Sequence, residues 1–63
     1  LKKWTISISY DAHDDKNTRI RAKTVFHTEA TSLVGAYDLA EQAFRGRSDV
    51  KLGAIIPGHH SIL

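Results

Sequence analysis

The chain has 63 residues, a formal net charge of +2 at pH 7, and a composition of 41% hydrophobic and 25% charged residues. This size and balance predict one small globular domain over residues 1–63 and argue against a disordered segment. The sequence contains no cysteine, which excludes disulfides and cysteine-ligated metal sites. It also lacks the run of about 20 apolar residues that crosses a bilayer, so we expect a soluble, cytoplasmic protein.

The first half of the chain has the pattern of two β-strands joined by a loop. Apolar and polar residues alternate strictly from Lys3 to Tyr10, which predicts a half-buried strand. Charged residues and turn formers fill Asp11–Thr18, so we expect a long, exposed and mobile hairpin loop. Arg19–His27 alternates again and predicts a second strand. The side chains predicted to face the core are Trp4, Ile6, Ile8, Tyr10, Ile20, Ala22, Thr24 and Phe26.

The stretch Thr31–Arg47 has the 3.6-residue period of an amphipathic helix and predicts the helix of the domain. Thr31 or Ser32 can cap its first N–H groups, and the cationic, glycine-containing segment Arg45–Arg47 predicts its end. The residues expected on its core side are Leu33, Ala36, Tyr37, Ala40, Ala43 and Phe44.

A third, short strand is predicted over Val50–Ile56, where Pro57 and Gly58 end it. The tail His59–Leu63 follows, and its Ile62-Leu63 pair either packs back on the domain or docks on a partner. Strict alternation in the strand places Val50, Leu52, Ala54 and Ile56 on the core side, and Lys51, Gly53 and Ile55 on the outer side.

These elements follow one another in the order ββαβ, which predicts a two-layer α+β domain with a three-stranded, mainly antiparallel sheet and one helix on one face. We favour the sheet order 2-1-3, because a central first strand makes all neighbouring strands antiparallel. The alternative is the order 1-2-3, in which the helix is a crossover between parallel second and third strands.

The sheet face away from the helix is predicted to be basic. Its centre holds the small hydroxyl residues Thr5, Ser7 and Ser9. Strand geometry repeats like-facing cations every ~7 Å, close to the phosphate spacing along one nucleic-acid strand. We therefore expect a small non-catalytic module, regulatory or accessory, that contacts nucleic-acid phosphates, although a basic strand that only prevents aggregation has the same pattern. The predicted contact residues are Lys3, Arg19, Arg21, Lys23 and Lys51.

The aromatic residues favour a duplex over a single strand as the nucleic-acid partner. Proteins that bind single strands on a sheet stack bases on exposed rings. All five aromatic rings of this chain are expected on the core side instead. These are Trp4, Tyr10, Phe26, Tyr37 and Phe44.

The alternative function is that of a protein-protein interaction module or small inhibitor. Glycine destabilises a helix interior, and Gly35 lies next to Leu39, which is outside the core-facing side of the predicted helix. Together these two residues would allow a second helix to approach. The acidic residues Asp11, Asp14 and Asp15 add a surface that suits a basic protein partner. Together with the apolar tail, these residues predict a protein interface, and a homodimer is one form of it.

No catalytic or metal-binding pattern is present in the sequence. Asp11, His13 and Asp15 have the spacing of calcium ligands, but Lys16 and Ala22 occupy the positions of the required glycine and glutamate, which excludes an EF-hand.

The four histidines do not have the spacing of a zinc motif, and no serine-histidine-acid set or glycine-rich phosphate loop is found. We expect neither an enzyme nor a cofactor.

Overall fold

The computed structural model describes residues 1–60 and has one sheet and one helix. Strand β1 is central, with β2 and β3 on its two sides, and it runs antiparallel to both. This confirms the predicted α+β fold and the 2-1-3 order, and it excludes the parallel pairing of the second and third strands. The elements are β1 (Lys2–His13), β2 (Arg19–Ala30), α1 (Leu33–Ala43) and β3 (Ser48–Pro57).

Strands β1 and β2 form a hairpin that is longer than the sequence predicted. Their pairing runs without interruption from Lys2 opposite Ala30 to His13 opposite Arg19. Residues 11–13 therefore belong to β1, and the expected long loop shrinks to residues 14–18. Strand pairing extends this far because an ordered turn closes the hairpin.

Asp14 organises that turn. Its Oδ1 accepts hydrogen bonds from the backbone N–H groups of Lys16 and Thr18, each at 2.9 Å. Asn17 adopts a left-handed φ of 61°, a conformation that asparagine tolerates better than most residues.

The core lies between β1 and α1. Ile6 is completely buried, as are Ala36 and Ala40 of the helix, and Ile8 is nearly so. The two alanines let the helix approach the sheet closely, so its buried strip is narrow. Leu33 and Ala43, the first and last residues of the helix, were predicted to face the core and are exposed. The aromatic residues packed around this centre, on the predicted side of the sheet, are Trp4, Tyr10, Phe26, Tyr37 and Phe44.

Helix α1 begins as predicted and ends earlier. The Oγ of Ser32 accepts a hydrogen bond from the N–H of Gly35 at 3.2 Å, which makes Ser32 the N-cap. The helix stops at Ala43, and residues 44–47 form a tight turn in which the Arg47 N–H donates to the Phe44 carbonyl at 3.0 Å. In the described part of the chain, no helix has the length and apolar character needed to cross a membrane.

Strand β3 contains two β-bulges, and the one that follows Leu52 overturns the predicted alternation for the rest of the strand, whereas Val50 and Leu52 pack against the core as predicted. Between the pairs Ile8 with Leu52 and Ile6 with Ile55, one residue of β1 lies opposite two residues of β3. One extra residue reverses which side chains face the core. Ile55, predicted on the outer side, therefore packs against the core, and Ile56, predicted inside, pairs with the outward-facing Thr5.

Gly53 lies in the first bulge, where the backbone passes close to Ser7. A Cβ atom at this position would collide with the Ser7 Oγ. The carbonyl of Gly53 accepts a hydrogen bond from the Tyr37 hydroxyl at 2.9 Å, which ties the bulge to α1. The glycine is therefore required by a close approach of two strands rather than by its dihedral freedom.

The segment Pro57–His60 folds back over the outer face, which is the sheet face opposite α1. The Oγ1 of Thr5 donates to the Gly58 carbonyl at 2.6 Å and accepts from the His60 N–H at 2.8 Å. Thr5 is fully buried in consequence. The predicted docking of Ile62-Leu63 falls outside the described residues.

We expect Thr5→Val to destabilise the domain by about 1 to 2 kcal/mol, because valine has the same shape but leaves the Gly58 carbonyl and the His60 N–H without their partner. Thermal unfolding followed by circular dichroism measures the change. Ser7→Ala is the control, since within residues 1–60 the Ser7 hydroxyl makes only a long contact of 3.5 Å to the Ala54 carbonyl. Equal stability of the Thr5→Val variant and the wild type would contradict the role of Thr5.

Candidate functional site

The outer face is organised in rows of side chains that run across the three strands. In one row, Ser9 of β1 pairs with Lys23 of β2 on one side and with Lys51 of β3 on the other. In the next row, Asp11 of β1 pairs with Arg21 of β2. Successive rows lie about 7 Å apart, because alternate residues of a strand face the same side.

Lys23 and Lys51 flank Ser9 and form the lysine row with it. Two strand spacings separate their backbones, which is about 10 Å. Among residues 1–60, the ion pairs involve the arginines of β2, and neither of these lysines takes part in one. Two like charges beside the half-buried Ser9 hydroxyl attract an anion, because an anion relieves their mutual repulsion.

A shallow depression of about 300 Å³ lies between these two lysines. The hydroxyl residues Ser7 and Ser9 form its floor, and the missing side chain of Gly53 leaves it open above Ser7. Hydroxyl groups can donate hydrogen bonds to phosphate oxygens, and lysines supply the charge. The depression therefore combines the two chemical groups that phosphate binding requires.

The arginines of β2 are held by carboxylates. Asp11 accepts from both Arg19 and Arg21, and its side chain is only 14% exposed. Arg21 also donates to the carboxylate of Asp49 at 3.0 Å, to the carbonyl of Asp49 at 2.9 Å and to the Ser9 Oγ at 3.0 Å. These contacts form the arginine network, which consists of Arg19, Arg21, Asp11 and Asp49. The network fixes Arg21 beside the lysine row, and its carboxylates offset part of the positive charge of Arg21.

Hydrogen bonds from Arg19 and then from Arg21 hold the pKa of Asp11 below the usual carboxyl value. Asp11 raises the pKa of Arg19 in turn. Because the carboxyl pKa is lowered by folding, the network stabilises the domain above the ordinary carboxyl pKa, and this contribution is lost as pH falls through the lowered value. Salt weakens the contribution, since these groups lie at the surface.

The structure brings four of the five predicted phosphate contacts together and separates the fifth. Lys23 and Lys51 share a row, with the arginine network beside them. Lys3 lies six positions from Ser9 along β1, about 20 Å away, and pairs in register with Glu29. Lys3 therefore does not belong to the cluster.

The sequence placed Gly53 on the outer side of the third strand, but it predicted neither the bulge at Gly53 nor the contact of Asp49 with Arg21. Asp49 has a left-handed φ of 52° and lies in the second bulge, where it meets Arg21. Both residue types carried a signal: a glycine inside a strand indicates a bulge, and aspartate tolerates left-handed backbone.

The residues predicted to form a protein interface are spread along the molecule. Gly35 is half-buried beside Ala30, and Leu39 is 39% exposed on α1. Asp14 and the exposed Asp15 lie at the hairpin turn, beyond the opposite end of β2, and a 12-residue strand spans about 37 Å. Asp11 belongs to the arginine network of the outer face. No single compact surface contains all five predicted residues of the described chain.

Histidine rings lie on the outer face at some distance from the lysine row. The rings of His27 and His59 stack with centroids 5.0 Å apart, and the Nε2 of His27 lies 2.7 Å from the His60 carbonyl oxygen. Within residues 1–60, no group of three or more histidine, aspartate or glutamate side chains is arranged to hold a metal ion. These histidines secure the folded-back segment.

Comparison of the chain with protein-family models, curated proteins and solved structures found no match.

Proposed function

We propose that the protein is a small non-catalytic module that binds nucleic-acid phosphates through its outer face. The observation that carries this proposal is the row of Lys23, Ser9 and Lys51, in which two lysines without carboxylate partners in the described chain flank a hydroxyl. The arginine network extends the cationic surface by one row.

A duplex fits this surface better than a single strand. The five aromatic rings pack on the side of the sheet that faces α1, so they do not offer bases a stacking surface on the outer face. Contacts to phosphates require only charge and hydrogen-bond donors, and they position a protein on a duplex without reading its sequence. We therefore expect binding with little sequence preference.

The acidic residues of the network limit the strength of this binding. Asp11 and Asp49 repel phosphate, and they already occupy much of the hydrogen-bonding capacity of Arg21. The affinity is consequently expected to depend mainly on the two lysines and to be modest at physiological salt. Such an interaction is adequate for an accessory protein that joins a larger assembly.

Fluorescence anisotropy of labelled duplex and single-stranded oligonucleotides at several salt concentrations tests the proposal. We expect the duplex affinity to fall with salt at a log-log slope of about −2 to −4, which corresponds to the release of counterions from two to four phosphates. Absence of binding near 20 mM salt, where the screening length is about 20 Å, would contradict the proposal.

A protein-binding function is favoured by the apolar side chains that α1 exposes. Val34 is 75% exposed, and Leu33 and Leu39 are also exposed. A helix that presents such residues to solvent is suited to a protein partner. The Leu39→Glu variant separates the two functions, because it would weaken a complex formed through α1 and leave binding to oligonucleotides unchanged.

A further inference from the structure

Strand β2 is an edge strand, and no strand of residues 1–60 pairs with its outer side. It lies at one end of the sheet order and has 12 residues, and its pairing with β1 is continuous. No bulge or proline interrupts β2. The opposite edge differs, because β3 carries two bulges, the left-handed Asp49 and the terminal Pro57. Bulges and prolines hinder pairing with any strand, whereas edge charges oppose only a partner of like charge, so β2 is the edge that remains able to pair with a strand of complementary charge.

The charges of β2 are arranged for pairing with itself. Arg19, Arg21 and Lys23 occupy its first half, and Glu29 lies near its end. Two identical strands that run antiparallel place the first half of one opposite the second half of the other. Arginine then meets glutamate across the contact, and cross-strand pairs of opposite charge are stabilising.

We propose that two copies of the chain associate through antiparallel pairing of their β2 strands, with Thr24 on the two-fold axis. This register places Arg19 of each copy opposite Glu29 of the other. It also places Ile20 opposite Thr28, and Ala22 opposite Phe26. Arg19, whose side chain is 74% exposed, is the arginine best able to take a second carboxylate partner.

The association joins the two three-stranded sheets into one continuous sheet. A two-fold axis perpendicular to the sheet keeps both outer faces on one side and both helices on the other. The lysine rows of the two copies then lie on the same face and are offset by one row, because Lys23 of each copy stands opposite Val25 of the other. A chain of 63 residues also gains buried surface that its own small core does not supply. The proposal stands independently of what the outer face binds.

One contact lies in the path of this pairing. The Nε2 of His59 is 3.1 Å from the Thr28 carbonyl oxygen. Pairing as far as Glu29 displaces this ring, so we expect His59→Ala to form a dimer at least as tight as that of the wild type.

Sedimentation equilibrium of the whole chain, up to about 1 mM, tests the association. We expect a mass of twice 7.0 kDa at high concentration. Arg19→Glu and Glu29→Lys should each weaken the dimer about tenfold, since each creates two like-charge contacts across the axis. The double variant Arg19→Glu/Glu29→Lys restores opposite charges and should recover the affinity of the wild type. Glu41→Lys, on the exposed side of α1, is the control and should have no effect.

Amide hydrogen exchange gives a second measurement that does not depend on any variant. Protection of the backbone N–H groups between Ile20 and Phe26 is expected to increase with protein concentration, while the edge of β3 does not change. A wild type that stays monomeric at about 1 mM overturns the proposal. A double variant that associates no better than the single variants overturns the register.

Discussion

The double variant Lys23→Glu/Lys51→Glu is expected to lose oligonucleotide binding, with an affinity reduced at least a hundredfold at low salt. Each substitution removes a cation from the lysine row and places a carboxylate there, which repels phosphate from the depression beside Ser9. The log-log salt slope should also fall by about 2, since two phosphate contacts are removed. Anisotropy titrations against the same duplex at several salt concentrations measure both changes.

The matched control carries the same change in charge on other parts of the chain. Lys2 points to the helix side of the sheet and Lys16 lies in the hairpin turn, so Lys2→Glu/Lys16→Glu should retain most of the binding. Lys23→Arg/Lys51→Arg should bind as well as the wild type. An equal loss in both glutamate variants would show that net charge, rather than the lysine row, determines binding, and it would contradict the assigned site.

Ile6→Ala is expected to unfold a large part of the population at room temperature. Ile6 is completely buried at the centre of the sheet. Substitution of a buried isoleucine by alanine lowers the free energy of unfolding by about 2 to 5 kcal/mol. A domain of 63 residues has a total free energy of unfolding of about 3 to 9 kcal/mol. Urea denaturation followed by circular dichroism measures the loss.

Ile56→Ala is the control for this substitution, because it removes the same atoms from the outer face. We expect it to cost about 1 kcal/mol. Ile55→Ala should lie between the two, since Ile55 packs at the margin of the core. If Ile56→Ala proved more destabilising than Ile55→Ala, this result would contradict the position of the bulge beside Gly53.

Local patterns in the sequence were sufficient to predict most of the fold. The alternation from Lys3 to Tyr10 correctly identified the buried side of β1, because a strand with one face in the core has a strict two-residue period. Ser32 was recognisable as a helix cap from its position before an amphipathic run. The 2-1-3 order followed from the preference for antiparallel neighbours, and the structure confirms it.

The positions of side chains in β3 could not be predicted in the same way. A bulge depends on how β3 meets β1, and alternation assumes that there is none. The bulge beside Gly53 therefore exchanged the expected sides of Ile55 and Ile56. The glycine was visible in the sequence, but its close approach to Ser7 is a property of two strands together.

By itself, the sequence determined the number and kind of elements, the buried face of the first strand and the cations of the outer face, because each of these depends on periodicity and composition within one segment. Only the tertiary structure decided which of those cations have a carboxylate partner among residues 1–60. Asp11 and Asp49 come from different strands and meet Arg21 through pairing. Charge compensation depends on residues that are far apart in the sequence. Because Lys23 and Lys51 have no carboxylate partner among the described residues, they form the centre of the proposed site.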